Sequence, residues 1–426
     1  MAIKINKERI YFRGPSATVL FAAAIEGSVP DSALTSAVRK ACARYRVLSC
    51  KLIQDDAGEA FFVPCDLLRA VEVIADPEPF DWDRIVREEE KRVFRFEDGE
   101  FVRFRIFRGE DTTLLLSGHH LAGDANAWVF LLRDIMICLS DPDTTLPEIP
   151  ITLCDPDTAA RGVKLPLSIR LMVKTVNSQW KRGGRQFSFE DYETLCQKYW
   201  EKRDTSVLKA VFQPEETEKL LAKCRELDIT VNSALAAAFV LGAQESSVGV
   251  AVNVREKGCE TLGNYATGIS VDYFPDADTS FDTRAQEVHA AIYQKLSDPK
   301  ARGFLLKFMS LIAPTLIDAA YFSAFGGYAN PIASRAAQMF GFTGTPKGVS
   351  LTNLARLPIP CAYGKYRLRE VVFVPPLVPG ASRLVGAAAL DGALCLTMHF
   401  DARETDRMQE DFSRAVGYLR RMAGIV

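Results

Sequence analysis

Four histidines in 426 residues make imidazole the scarcest acid–base group in this chain, so the place of each one carries information. Cysteine is commoner, at ten, but no two stand at the two- to four-residue spacing of a zinc site, which argues against a zinc-finger or zinc-ribbon protein. Most lie in apolar runs, such as IMIC ending at Cys138 and GALC ending at Cys395; they read as thiols packed as small hydrophobes, as expected in a reducing cytosol. There is no run of about 18 apolar residues to span a bilayer, and the longest, SALAAAFVLGA, suits a buried helix. The opening MAIKINKERIYFRG is charged and lacks the apolar core of a signal peptide, so a cytoplasmic location is expected. An excess of one charge is also lacking: 52 basic and 54 acidic residues give a formal net charge of -2, which argues against a nucleic-acid-binding surface. Repeats and low-complexity tracts are absent.

What is present is an ordinary globular composition, 48% hydrophobic and 25% charged, over a length that favours two lobes of roughly 200 residues each. Residues 16–29 suit a buried strand, and 30–45 a helix opened by Pro30 and Asp31 with Leu34, Val38 and Cys42 on one face. Two strands about a DDAG turn (47–64), a helix (79–94), a strand alternating apolar and basic residues and so read as half-buried (101–108) and an apolar return strand (113–117) follow. Residues 127–140 form a strongly apolar helix. From 141 to about 205 the pattern loosens into a Pro- and Asp-rich linker, a helix over 165–180 and the basic loop WKRGGRQ. Strand and helix patterns resume at 206 and run to a closing helix; 317–348 is Gly- and aromatic-rich without a readable period. The expected architecture is α/β, with an N-terminal lobe over 1–165, a crossover segment over 166–205 and a C-terminal lobe over 206–426.

Two of the four histidines, His119 and His120, stand together in LLLSGHHLAGDANAW, with Asp124 four positions on. They fall where a central strand hands over to a helix, a place from which side chains can face a cleft. One neutral imidazole there can take a proton from a hydroxyl or amine. An ordinary packed histidine is the commoner role for a generic strand-end His, and a metal role is weak because adjacent residues on an extended chain point opposite ways. Asp124, if buried, needs a cationic partner. Trp128 reads as core, His289 as a helix-surface residue, and His399, in LTMHF, as structural.

The HHxxxD pattern of His119, His120 and Asp124 resembles the signature of the chloramphenicol-acetyltransferase-like superfamily, which includes condensation domains, polyketide-associated acyltransferases and alcohol acetyltransferases. RVLSCKL, VNVREKGCETLGNY (252–265) and SLTNLARLP (350–358) are similar to other elements of that superfamily, so the resemblance runs the length of the chain. The look is that of a free-standing acyltransferase. Two features depart from the pattern: Ala125 stands where Gly usually follows the aspartate, and Ala355 where relatives have the Gly of TNLG. The DFGWG element of plant relatives is absent.

The resemblance implies two lobes around a central tunnel open at both faces. It implies His120 as general base, Asp124 as a structural residue paired with Arg255, and direct transfer from a thioester without an acyl-enzyme, a metal or a permanently bound cofactor. The substrates would be an acyl-CoA or a phosphopantetheine thioester on an acyl carrier protein, and a small alcohol or amine. His119 and Gly123 belong to the same motif. Backbone N–H groups around Gly123 and Asp124, or the side chains of Thr352 and Asn353, are candidates for holding the oxyanion. Lys181, Arg182 and Arg185 are candidates for donor phosphates. An O-acyltransferase acting as a monomer in secondary metabolism or lipid biosynthesis is the favoured expectation; an amide-forming enzyme and a catalytically idle homologue that binds an acyl carrier partner are the alternatives.

Overall fold

The structure is a computed structural model that describes residues 2–65, 71–274, 279–344 and 348–425. Two six-stranded sheets dominate it. The first runs β12 (Ala362–Tyr363), β13 (Tyr366–Val374), β2 (Thr18–Ile25), β7 (Thr112–His119), β6 (Val102–Arg108), β5 (Glu72–Ala75), antiparallel except for the β5–β6 edge. The second runs β10 (Ala266–Asp272), β9 (Ser247–Asn253), β11 (Val349–Arg356), β14 (Arg383–Leu390), β15 (Ala393–Asp401), β8 (Thr205–Phe212), with β11 parallel to both of its neighbours. A small sheet, β1 (Ile3–Lys4), β4 (Ala60–Pro64) and β3 (Cys50–Gln54), flanks the first.

The elements follow from their patterns. Leu114, Leu115 and Leu116 on β7 are all buried, because a central strand covered on both faces needs no polar side. Helix Asp31–Ala43 turns Leu34, Val38 and Cys42 inward, as the spacing predicts. Helix Ala125–Ser140 is buried nearly all round, including Trp128. Trp128 explains the glycine before the histidines: a Cβ on Gly118 would lie 2.4 Å from the indole.

Three expectations are corrected. The alternation of β6 does not mark a solvent face. Arg103 is buried, bonded at 2.7 Å to Glu89 of helix Trp82–Lys91, and Arg105 pairs with Glu88 of the same helix and with Asp76, just past β5. A charged residue paired across a helix–sheet interface looks, in one dimension, like a wetted one. The crossover segment is more ordered than its composition suggests: Ser188 and Asp191 form a capping box that opens helix Phe189–Trp200, whose Tyr192, Leu195, Cys196, Tyr199 and Trp200 join the first core. Lastly, the lobes do not divide at 165 and 206. Strand β13 enters the first sheet beside β2, and Leu316, Ile317, Tyr321 and Phe322 pack in the first core.

Besides the core of each lobe, a smaller one joins the two sheets, with Leu20, Ala22, Val372 and Val374 against Val207 and Cys395. Beside it His399 of β15 bonds the Pro375 carbonyl at 2.8 Å through Nδ1 and turns Nε2 toward Glu90, 3.4 Å away. Burial alone would lower the His399 pKa, but the neighbouring Glu90 carboxylate raises it above the ordinary value. The residue is structural, as expected.

Ala355 carries a finding of its own. It sits at φ +54°, in the left-handed region, where β11 bulges between Asn353 and Arg356. The Asn353 side chain holds the turn by accepting the Ala355 N–H at 2.7 Å. A Cβ in this region costs about 1–2 kcal/mol, partly offset by the greater freedom of glycine in the unfolded chain. Ala355→Gly is therefore expected to stabilise the protein by about 1 kcal/mol, read as a higher denaturation midpoint at constant slope in urea. Ala125, the other departure, is the first residue of its helix and is not among the residues at positive φ, so its methyl brings no backbone strain.

Candidate active site

β7 ends at His119, and the side chains of His119 and the next residue, His120, point apart as the pleat requires. His119 points inward: its ring meets Phe94 and Phe96 edge-on, its Nδ1 accepts the Leu121 N–H at 3.2 Å, and burial holds its pKa well below 6.5. It is a packed residue. His120 points the other way, into a cavity of about 400 Å³ between the two lobes. The far wall comes from β9, β10 and β11. β9 pairs with β11 only from Val248 to Val250, after which the strands part and leave the space. Ala125, Thr352 and Asn353 also line it.

The backbone that carries His120 is pinned from the second lobe. Asp124 caps helix Ala125–Ser140 by accepting the Ala127 N–H at 2.9 Å, and its two oxygens meet Arg255 Nη2 at 3.0 and 3.1 Å. The Tyr265 N–H adds a bond of 2.8 Å to the same carboxylate. Arg255 also donates to the carbonyls of Thr261 and Gly263, at 2.8 and 3.0 Å, and its guanidinium lies 4.3 Å over the Tyr265 ring. Both side chains are almost wholly buried, so each charge depends on the other.

The His120 ring is held from two sides. Tyr11 stacks on it, centroids 4.3 Å apart and planes 15° apart. The Asn264 side-chain amide lies 2.8 Å from Nδ1 and also donates to the His120 carbonyl at 3.0 Å. The Asn264 Oδ1 is taken by Lys7 Nζ, at 2.8 Å, and the Ala266 N–H, at 3.2 Å. The amide NH₂ therefore faces Nδ1, and the neutral ring carries its proton on Nε2. Burial, opposed by Asp124, lowers the His120 pKa to about 4, so the ring is uncharged at neutral pH. Burial also lowers the pKa of Lys7, against the attraction of Glu8, and raises that of Tyr11 to about 12.

Not every residue named from the sequence belongs here. Gly123 packs rather than faces the cavity: a Cβ on it would lie 3.0 Å from that of Ala127 and 3.2 Å from the Trp128 ring. The Asp124 N–H is donated to the Gly263 carbonyl at 3.2 Å, so it is not free for an oxyanion. Lys181, Arg182 and Arg185 are exposed and outside the cavity lining; Arg185 pairs with Asp191. Among the lining residues the cation is Lys7. His289 is half-buried on helix Phe281–Ser297, and its Nδ1 lies 3.0 Å from the Ser233 hydroxyl at the start of helix Val231–Gly242. Lys7, Tyr11 and Asn264 went unassigned in the sequence; the first two lie in a stretch notable there only for charge. Among the described residues no three His, Cys, Asp or Glu side chains gather as a metal site requires.

No protein-family model and no curated protein matches the chain by sequence. Solved structures do match it by fold. It is similar to polyketide synthase associated protein 5 from Mycobacterium tuberculosis, at 16% identity over 97% of this chain and 96% of that one, with a TM-score of 0.63. It is similar also to trichothecene 15-O-acetyltransferase from Fusarium sporotrichioides, at 10% identity over 98% and 94% of the chains, with a TM-score of 0.66. The first condensation domain of the calcium-dependent antibiotic synthetase, in complex with a substrate analogue, matches at 12% identity over 99% and 96%, with a TM-score of 0.65. The fold is thus the two-lobed one of condensation domains and chloramphenicol-acetyltransferase-like proteins.

Removing one partner of the Asp124–Arg255 pair strands the other in low dielectric. Asp124→Ala and Arg255→Ala are each expected to destabilise the protein by about 3–5 kcal/mol, and the double variant by clearly less than the sum of the two. Urea unfolding of all three measures this; additive losses would mean that the two charges are not coupled.

Proposed function

We propose that the protein is an acyltransferase that moves an acyl group directly from a thioester to an acceptor hydroxyl. The observation that carries this reading is His120: a neutral imidazole lining a cavity between two lobes, on a backbone locked by Asp124 and Arg255. The overall likeness to an acetyltransferase and a condensation domain agrees with it, though at identities that speak for the fold alone.

In the proposed reaction the acceptor oxygen attacks the thioester carbon while its proton passes to His120. The C–S bond then breaks, and the thiolate leaves and takes the proton. Base catalysis at Nε2 requires the ring proton to sit on Nδ1, the reverse of the resting arrangement. Reaching it requires the Asn264 amide to turn over so that Oδ1 accepts from Nδ1–H, which gives up its present bonds with the His120 carbonyl, the Ala266 N–H and Lys7. The Thr352 hydroxyl and the Asn353 amide NH₂, in the cavity lining on β11, are the proposed oxyanion donors. The lining is largely apolar, from Val19, Val250, Ile269, Leu306 and Met309, which suits a hydrocarbon acyl chain. The donor is an acyl-CoA or a carrier-bound phosphopantetheine thioester.

The test is thiol release from a panel of acyl-CoAs with alcohols. His120→Ala is expected to lower turnover by about 10²–10⁴-fold with melting unchanged; a variant as fast as the parent would overturn the assignment. Because protonation of His120 removes the base, the rate should fall as pH drops through about 4 and show no limb near the ordinary histidine value. Asn264→Asp offers Nδ1 a carboxylate, which holds the proton there and favours the charged ring, so the acid limb should move up in pH. An unmoved limb would mean that Asn264 does not govern the ring.

A further inference from the structure

Between Thr158 and Phe189 the chain carries seven basic residues and no acidic one, in a protein whose formal net charge is -2. Helix Leu167–Trp180 crosses this stretch. Its residues 167, 170, 171 and 174 form one stripe, Leu-Arg-Leu-Lys, and all four are exposed, Leu167 at 67%. Helix Pro299–Leu311 repeats the pattern on residues 300, 304, 307 and 311, Lys-Phe-Lys-Leu, again with no acid on the helix. Phe304 and Leu311 are exposed there; Lys307 is tied to Asp157.

The two helices are tied to each other near both ends. Gly303 abuts Ala160 and Val163, just ahead of the first helix, and Asn177 near its end bonds the Leu311 carbonyl at 2.7 Å and the Ala313 N–H at 3.0 Å. The second helix also reaches the cavity: Leu305, 43% exposed, lines the space into which His120 points. Large apolar side chains standing among cations, with no counter-charge on either helix, are the pattern of an element that lies in a bilayer interface. An acidic protein partner would meet the cations but leave the protruding leucines and phenylalanine without a groove.

We infer that this face docks on an anionic membrane surface, with the Leu305 mouth of the cavity turned to the lipid. Leu167 and Leu171 enter the headgroup–acyl boundary, and Arg170 and Lys174 meet lipid phosphates. The docking is independent of whether His120 transfers acyl groups.

The test is co-sedimentation of the full chain with vesicles of phosphatidylcholine alone or mixed with phosphatidylglycerol. Binding to the anionic vesicles should exceed that to neutral ones by about tenfold or more, and should weaken with salt. Leu167→Glu with Leu171→Glu, and separately Arg170→Glu with Lys174→Glu, should each abolish most of that binding while melting and circular dichroism stay as in the parent. Equal or negligible binding to both vesicles would overturn the inference. So would sedimentation velocity showing a dimer that the leucine variant dissolves, which would make a second copy the occupant, or capture of an acidic acyl carrier protein by this face without binding to vesicles.

Discussion

One carboxylate organises the molecule. Asp124 caps the helix that follows His120, accepts a backbone N–H from the second lobe and receives a buried guanidinium from the same lobe. Each bond alone is modest, but together they satisfy a charge that would otherwise be expelled from this interior. The result is that the strand end carrying the imidazole cannot shift without dragging the opposite lobe with it. A cavity walled by two sheets gains a fixed point from it.

Around that point the environment is arranged to keep charge off the ring. His120 stacks on Tyr11, is buried enough to stay neutral, and meets an amide whose orientation is set by Lys7. Lys7 comes from the first few residues and Asn264 from beyond residue 260, so the hydrogen-bonding of the ring is written across both lobes. Lys7, by donating to the amide oxygen, turns the amide NH₂ toward the ring.

Much of this was legible in the sequence wherever a single short stretch sufficed. The paired histidines, the aspartate and its arginine could be named because their pattern is local or carried by a recognisable resemblance. Period and polarity likewise located β2, β7 and the apolar helix after the motif. Legibility failed where meaning lies in the partner. Arg103 looked wetted because the sequence does not show Glu89 above it. Gly123 looked functional because the indole that needs its bare Cα lies five residues on. Tyr11 gave no sign, and Asn264, though inside the stretch 252–265 that carries the resemblance, gave none of its role, because stacking and tautomer control have no spacing to detect. The basic loop around Lys181 attracted a phosphate role, yet none of its residues lines the cavity, and the registration of β13 with β2 was invisible because long-range pairing leaves no local trace.

That last pairing has a consequence for how the chain is made. β2 ends at Ile25, yet its neighbour β13 ends only at Val374, so one flank of the first sheet stays open until synthesis has passed that residue. A nascent N-terminal half on the ribosome holds a strand with unpaired backbone groups and an apolar face still waiting for residues not yet translated. Cutting the gene at the waist between the lobes would leave the same exposed edge for good, so the halves are one cooperative unit in assembly even though they read as two in outline.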